Sequence, residues 1–442
     1  MKKVVKILII FLVIILIAGG GFAYAYFATD LLKSDKELFF KYLSQLSEES
    51  TEKLYEKKEQ TPYENEGSLN FDVEIPEDTK IVNAVNNMTV EFSGSTDKVQ
   101  NKTEKNIRLK YNDDVEFPIN YIQDGELFGV QTKYIGSKYI AVENNGLQEL
   151  AEKFGFSGTV IPEQIETESI ENVKFTNDEI EQIKSTYGSV LKEELGKENF
   201  SHYKIVNGTS YVLTLTGEQS KSIMIKLLET LKQDKMLLDK INEYSKNFTE
   251  ETSLNIDDII ADVKDTDASE IENIKITVAQ NNKKANQIVI QYGQSSLNIK
   301  KQSDEDNFKY DITIKYADNE NEYEVNFVAN YKGLSTLSKV TEEYSLGINL
   351  NIAGNTSKYL YTVNNNVQFK NNITIDDLNE NTAVILNDRD AEYITNLFTA
   401  VTQRITEVNN SHLQELGLDT NPLIYATPIA MLGQISNDID NQ

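Results

Sequence analysis

Two histidines, His202 and His412, are the side chains of this sequence best suited to proton transfer near neutral pH. Each follows a serine, Ser201 or Ser411, so each pair contains the residue types of a serine–histidine relay. Adjacent side chains point away from each other in a regular element, and relay members come from distant positions in the chain. We therefore expect both histidines to lie on the surface or at a helix cap, and we predict no catalytic residue.

The acidic run DDIIADVKDTD is the best candidate for a metal site. Its aspartates are Asp257, Asp258, Asp262, Asp265 and Asp267. A calcium-binding EF-hand loop beginning at Asp265 would need glycine and glutamate where this chain has Glu270 and Ile276. Zinc sites use cysteine and histidine, and the chain has no cysteine. We predict no metal and no cofactor: the run is a solvated, partly helical linker, and the acidic segment at 303–307 is a hairpin turn.

Other chemistries leave no specific signal in the sequence. With 70 acidic residues, some close carboxylate pair is inevitable, so sequence spacing does not test for a glycoside-hydrolysing pair. No strand is followed by a glycine-rich phosphate loop. The formal net charge of −27 repels nucleic acid, whose partners need basic patches. We predict that the protein is not an enzyme and has no nucleic-acid partner.

Aromatic side chains could form a binding surface, and with no tryptophan this role would fall to some of the 23 tyrosines. Many of them alternate along strand-like segments, as do Tyr292, Tyr310, Tyr316, Tyr323 and Tyr331. Alternating tyrosines are typical of a half-buried sheet, so we interpret them as packing residues. The alternative is a curved sheet that holds its apolar face open to a ligand, with helices as one wall of the cavity.

Residues 7–28 form an uncharged apolar run of 22 residues, long enough to cross a bilayer as a helix. Lys2, Lys3 and Lys6 precede it, which predicts a cytoplasmic N-terminus and an extracellular bulk. The prediction is a single-pass protein attached to the cell membrane through residues 7–28. Cleavage in the small-residue motif near Ala25 would instead release a secreted form.

The remaining chain is predicted to form strands and helices, which must position any site. Ser34 with Glu37, and Thr176 with Glu179, have the spacing of helix capping boxes. Apolar and polar residues alternate in LNFDVEI, MTVEF, IRLKY, YDITIKY and YEVNFVANY, which indicates antiparallel sheet. A strand, a cap and a helix occur in SYVLTLTGEQ and again in TAVILNDRDAEY, with Thr216 and Asn387 as corresponding caps.

These patterns predict an α+β fold: an N-terminal transmembrane helix, then two tandem antiparallel-sheet units with packing helices, half-barrel-like in form. The predicted divisions are a cytoplasmic N-terminus and transmembrane anchor at 1–29, a stalk helix at 30–61, and sheet-plus-helix units at 62–250 and 251–442. The alternative is that any strand, cap and helix look alike, so that the two halves are not true repeats.

Three segments carry a family resemblance: SDKELFFKYLSQL, YIQDGELFGVQTKYIGSKYIAVENNGLQELAEKFGF and ITEVNNSHLQELGL. They resemble an uncharacterised family of single-pass, membrane-anchored envelope proteins of low-GC Gram-positive bacteria, a domain of unknown function. The resemblance implies placement in the cell envelope and supplies no catalytic or binding residues. The predicted layout is also similar to half-barrel carriers that shuttle lipids or lipoproteins across cell envelopes, a likeness of fold alone.

We therefore predict a membrane-anchored extracytoplasmic protein that is non-enzymatic and binds an apolar or amphiphilic envelope ligand, or an envelope protein. A structural or adhesive surface protein is the alternative, and an exposed polar sheet above a filled core would favour it. A carboxylate-dependent wall hydrolase is the third hypothesis. It requires two carboxylates that converge in a cleft, at least one of them in an apolar pocket.

Overall fold

The computed structural model of the 442-residue chain describes residues 33–46, 51–76, 79–111, 115–147, 150, 176–246, 255–317 and 321–426. The helices used below are α1 (Asp35–Leu46), α2 (Glu52–Gln60), α3 (Thr79–Asn86), α4 (Asn177–Glu194), α5 (Gly217–Gln233), α6 (Lys235–Lys246), α7 (Ile256–Asp265) and α8 (Ala391–Leu416).

The strands fall into two series along the chain. The first is β1 (Tyr63–Glu74), β2 (Thr89–Asp97), β3 (Lys102–Lys110), β4 (Glu116–Asp124), β5 (Leu127–Gln131), β6 (Tyr139–Glu143), β7 (Phe200–Ile205) and β8 (Gly208–Leu215). The second is β9 (Ile274–Asn281), β10 (Lys284–Tyr292), β11 (Ser295–Ser303), β12 (Asn307–Ala317), β13 (Asn321–Lys332), β14 (Lys339–Ile352), β15 (Asn355–Phe369) and β16 (Ala383–Ile385).

Sixteen described strands follow one hydrogen-bonded order, β16-β6-β5-β4-β3-β2-β1-β15-β14-β13-β12-β11-β10-β9-β8-β7. Most neighbours in this order also follow each other in sequence, and short turns join many of them, whereas helices separate β1 from β2 and β8 from β9. The exceptions are β1 beside β15 and β16 beside β6. The β1–β15 pairing is antiparallel and runs from Tyr63 opposite Phe369 to Glu74 opposite Lys358.

The predicted fold class, α+β with a transmembrane helix and two tandem, half-barrel-like sheet units, is therefore wrong. Its strands were assigned to separate sheets in sequence order, whereas the strand order places β15 next to β1 and β16 next to β6. Alternation of apolar and polar residues reveals a strand and its buried face, but it carries no information about a partner that is distant in the chain.

The transmembrane anchor predicted at 7–28 lies outside the described residues. No helix in the described part of the chain is both long enough and apolar enough to cross a membrane. The longest of them, α8, has 26 residues, but polar side chains occupy much of its surface. The predictions of a signal anchor and of a single-pass cell-membrane location are corrected on this finding.

The described residues belong to two compact units. The first unit takes its residues from Met1–Glu49, Thr167–Gln302 and Tyr310–Asp318. The second takes its residues from Ser50–Glu166, Ser303–Lys309 and Asn319–Gln442.

In the first unit, helices cover one face of β8, β9 and β10. The apolar residues of α1, α4, α5 and α7 form one core with that face. Within it, the ring of Phe39 lies 5.4 Å from that of Phe200, and the Tyr42 ring stacks on Tyr211 at 5.4 Å. Helix α1, within the predicted stalk segment 30–61, is thus packed into this core. These apolar side chains are buried together in the core of this unit.

Helix starts were the most accurate local predictions. Ser34 and Glu37 form reciprocal hydrogen bonds at the start of α1, and the pair Thr176 and Glu179 forms a capping box at α4. Thr216 caps α5 as predicted. The cap predicted at Asn387 is wrong, because Asp390 caps α8.

The filled core of the first unit yields a stability prediction. Val278 in β9 is fully buried, and we expect Val278→Ala to lower the free energy of unfolding by about 2 kcal/mol through lost apolar burial and a new cavity. The matched control is Val206→Ala, since Val206 is 86% exposed. Urea unfolding of the two variants measures the difference. Equal unfolding midpoints would contradict the packing described for β9.

Candidate functional site

The structure separates the histidines from any relay. His202 lies on β7, where its Nδ1 is 2.8 Å from Asp35 Oδ1. His412 lies on α8, with its ring 6.3 Å from the ring of Tyr111 and 6.2 Å from that of Tyr134. Among the described residues, neither imidazole is hydrogen-bonded to a serine. Both rings therefore join elements together.

The acidic run at 257–267 lies mainly on α7 and serves its packing. Asn255 caps this helix by accepting hydrogen bonds from the backbone of Asp257 and Asp258. Asp257 forms an ion pair with Lys232 at 2.6 Å. The run is partly helical and its aspartates are exposed, as predicted, but it is not a linker, because the apolar face of α7 is buried in the core of the first unit. Within the described ranges, no three His, Asp or Glu side chains converge to hold a metal ion.

The acidic segment at 303–307 is a turn, as predicted. Asp304 Oδ1 accepts hydrogen bonds from the backbone N–H groups of Asp306 (2.9 Å) and Asn307 (2.8 Å). These bonds hold the pKa of Asp304 below its usual value. The carboxylates stabilise the turn itself and do not form a site.

The second unit contains a sheet with two chemically different faces. The registers of β4, β3, β2, β1, β15, β14 and β13 place one set of apolar residues on the same face. We call this set the apolar strip: Phe327, Leu346, Val363, Leu69, Val90, Phe92, Ile107 and Ile119. The residues between them, on the opposite face, are mostly Asn, Ser, Thr, Glu and Arg. The face with the strip is therefore the more apolar of the two.

Burial along β14 shows that this face is covered at both ends and open between them. Val340 and Glu342 are buried at one end, and Leu350 is buried at the other. Tyr344 and Leu346, between them, are only half-buried. On the neighbouring β13, Phe327 is 37% exposed. The strip therefore remains accessible although its flanks are packed.

Helix α2 covers the end near Val340. Its Leu54 is fully buried, and the hydroxyl oxygens of Tyr55 and Tyr331 are 3.1 Å apart. Lys57 donates a 2.5 Å hydrogen bond to the carbonyl of Leu337. Several different contacts thus fasten one short helix to the sheet.

The other end is covered by α3 and by a 3₁₀ turn at Pro422–Ala426. Val85 of α3 packs with Val73 of β1 and Tyr359 of β15 in one apolar cluster. The hydroxyl of Tyr361 donates a 2.8 Å hydrogen bond to the carbonyl of Ala426. These contacts mark the second boundary of the strip.

Helix α8 presents an apolar stripe that is packed at its ends. Near its start, Ile394 is fully buried and packs in a cluster with residues of β6. Val408 is buried near the other end. Between them, on the same helical face, Phe398 is 44% exposed and Ile405 is 37% exposed. The middle of this stripe is accessible, as is the strip on the sheet.

Two glycines, Gly67 and Gly94, leave space on the sheet face that carries the strip. A side chain at Gly67 would clash with the backbone oxygen of Asn364 and with the ring of Phe92, which lies across this position. A side chain at Gly94 would clash with the backbone oxygen of Glu104 and approach the stem of Lys105. Because both positions lack a Cβ, Phe92 and Lys105 lie along the sheet.

A chain of hydrogen bonds, which we call the polar row, crosses the strip's end beneath α2. It consists of Lys105, Asn65, Asn365, Glu342 and Lys58. Lys105 Nζ donates to Asn65 Oδ1, whose amide donates at 3.0 Å to Asn365 Oδ1. Asn365 donates at 2.8 Å to Glu342 Oε2, and Lys58 Nζ lies 2.5 Å from Glu342 Oε1. The row brings together residues from α2 and four strands.

Burial perturbs the titration of groups along the row. It lowers the pKa of Lys105 to about 8, and the nearby charge of Lys58 adds to this effect. It raises the pKa of Tyr63 above its usual value and that of Tyr344 to about 12. Lys105 therefore loses its proton at a lower pH than an ordinary lysine, whereas Tyr63 and Tyr344 remain protonated and neutral at neutral pH.

A groove also lies in the first unit, between α4 and α5. It is a groove of about 800 Å³ lined by polar residues and a few apolar ones. Its charged residues have both signs, as in Glu193, Glu229, Lys226 and Lys235. Among the described residues, the acidic side chains that line it do not converge into a metal-binding group, so the groove is a weaker candidate than the strip.

Sequence reasoning identified the strands of the strip but not the polar row. LNF, VEF, IRL and NFV are visible as alternating segments, and the possibility of an open apolar face follows from them. Lys105 carries no local signal, because its partner Asn65 is 40 positions away. Only the pairing of β2 with β1 and β3 brings these residues together.

Comparisons with known proteins do not assign this chain to a family. No family model matches it, and a search of curated proteins found no significant match. One solved structure, titled "Asymmetric conductivity of engineered proteins", is 10% identical and covers 69% of this chain and 98% of its own, with a TM-score of 0.10. At that score the likeness supports no statement about fold or function.

The polar row generates a stability prediction. Glu342 is 3% exposed, and removing it leaves Lys58 without its counter-charge beneath α2, so we expect Glu342→Ala to destabilise the protein by about 3 to 5 kcal/mol. The matched control is Glu343→Ala, whose exposed pair with Lys332 should contribute about 0 to 1 kcal/mol. Urea unfolding compares the two. An equal loss in both variants would contradict the buried pair.

Proposed function

We propose that this chain is a non-enzymatic binding protein whose apolar strip holds an apolar or amphiphilic ligand. The observation that supports this most directly is the burial pattern of the strip: half-exposed apolar side chains between two covered ends. The residues of the opposite face are mostly polar, so apolar residues are concentrated on the side that a ligand would occupy.

Covering the exposed part of the strip with an apolar ligand would be energetically favourable. Burying apolar surface contributes about 25 cal/mol per Å² removed from water. At the end covered by α2 this gain is realised, since Val340 and Val367 are fully buried. Leu346 and Val363, in the middle of the same strands, are only half-buried and retain surface that a ligand could cover. Contiguous exposed apolar patches commonly mark binding sites.

The dimensions of the strip suit an elongated ligand. It crosses seven strands, which corresponds to about 29 Å at the usual strand spacing. Along β14, the half-buried segment from Tyr344 to Ile348 spans about 13 Å. An extended apolar chain lying across the strands would contact most of the strip.

The rival functions lack comparable support. A structural or adhesive protein would be favoured by a polar sheet over a filled core, which describes neither the strip nor the middle of α8. A carboxylate-dependent hydrolase needs two converging carboxylates. The buried carboxylate of Glu342 is instead bonded by Lys58 and Asn365.

The proposal is tested by placing a polar side chain in the strip. We expect Leu346→Asn to weaken binding of a dansyl-labelled fatty acid about tenfold, because it replaces apolar contact with an amide of similar size. Titration of the full chain, followed by dansyl fluorescence, measures the affinity.

The matched control is Leu360→Asn. Leu360 lies on the opposite face of the same sheet and is 39% exposed, so its replacement should leave the affinity unchanged. Circular dichroism of both variants checks that the fold is retained. The proposal fails if the parent chain does not bind the probe, or if both variants lose affinity equally. In that case a protein partner on the outer surface becomes the better hypothesis.

A further inference from the structure

Lys105 is a cation beside the strip that has no carboxylate partner among the residues that the structure describes. Its ammonium donates to the neutral Asn65 side chain, and its stem lies along the sheet over Gly94. The ring centroid of Tyr63 is 5.9 Å from its Nζ. Among the described residues, no carboxylate lies within ion-pair distance of this nitrogen, which is unusual for a half-buried lysine.

The neighbouring charges are already paired with each other. Lys58 is held by Glu342 at 2.5 Å, and Lys98 forms an ion pair with Glu59. Lys58 is the charge that most affects Lys105, and its effect is repulsive. The other titratable groups facing this end include Tyr63 of β1, Tyr121 of β4 and Tyr344 of β14, and burial raises the pKa of each. None of them supplies negative charge to Lys105 at neutral pH.

The position of Lys105 relates it to the strip. On β3, Lys105 and Ile107 are on the same face, and Lys105 is opposite Gly94, whereas Ile107 is opposite Phe92. The cation therefore stands where the apolar strip meets the polar row. A ligand that lies across the strands with its polar end at β3 would bring that end to the ammonium.

We propose that the ligand of the strip is a long-chain carboxylic acid whose carboxylate pairs with Lys105. This inference rests on the proposed function, since it names the chemical class of ligand for the same strip. One ammonium matches one negative charge, and a compact point charge suits a single carboxylate. The net charge of −27 opposes anion binding only weakly, because exposed charges beyond about 8 Å are screened at physiological ionic strength.

The test is competition against the dansyl-labelled fatty acid on the full chain, with dodecanoate, methyl dodecanoate and dodecyl phosphate as competitors. We expect dodecanoate to bind about 10- to 100-fold more tightly than its methyl ester, the usual contribution of a hydrogen bond to a charged group. Lys105→Met should abolish this preference. Lys110→Met is the matched control, because Lys110 lies on the opposite face and pairs with Glu91.

The outcomes separate this inference from the proposed function. Binding of acid and ester with equal affinity would overturn the carboxylate inference and leave the apolar site standing. Tighter binding of dodecyl phosphate than of dodecanoate would overturn the choice of carboxylate. Failure of every competitor and of the probe itself would overturn the proposed function. Persistence of the acid preference in Lys105→Met would exclude Lys105 as the pairing group.

A pH titration adds a second, independent readout. Because the pKa of Lys105 in the unliganded protein is lowered to about 8, its ammonium is present below that pH and lost above it. Dodecanoate stays ionised throughout, so its affinity should fall as the pH rises through and beyond about 8, while that of methyl dodecanoate stays level. Lys105→Arg should keep the preference and lose this pH dependence, since arginine remains protonated. A flat profile for dodecanoate in the parent chain would count against the pairing.

Discussion

The pairing of β1 with β15 is the constraint on which the second unit depends. It joins two strands nearly 300 positions apart, and twelve residue pairs stand in register from Tyr63–Phe369 to Glu74–Lys358. Strands β2 to β4 extend from one side of this pair, and β14 and β13 extend from the other. A slip of one residue would turn every side chain of β1 to the opposite face. The apolar strip exists because the register keeps both sets of strands in phase.

The apolar sheet faces of the two units are covered to different extents. In the first unit, four helices contribute side chains to one core, and Phe39, Leu213 and Ile276 are fully buried there. In the second, α2 and α3 are short and cover only the ends of the sheet face, as the buried Leu54 and Val85 show. The number of helices packed on the face therefore differs: four contribute to the core of the first unit, whereas α2 and α3 cover the two ends of the strip face in the second.

The polar row gives the strip an end with a defined charge pattern. A buried carboxylate with a lysine on one side and an amide on the other is electrostatically satisfied, whereas the cation at the far end of the row is bonded, within the described part of the chain, to a neutral oxygen. Because charged groups in low-dielectric surroundings interact strongly, such an imbalance influences which ligands a site accepts. The acidic composition of the whole chain gives no indication of this local cation.

Local structure could be predicted from the sequence alone: alternating strands such as LNFDVEI and IRLKY, and helix caps at Ser34, Thr176 and Thr216. These features depend on side chains a few positions apart, so local energetics suffices to predict them. The neighbour of β1, the cap of α8 at Asp390 and the meeting of Lys105 with Asn65 were decided only by the tertiary structure. Each depends on which distant segments pair, and that choice reflects the summed free energy of many contacts in three dimensions, which no short stretch of sequence contains.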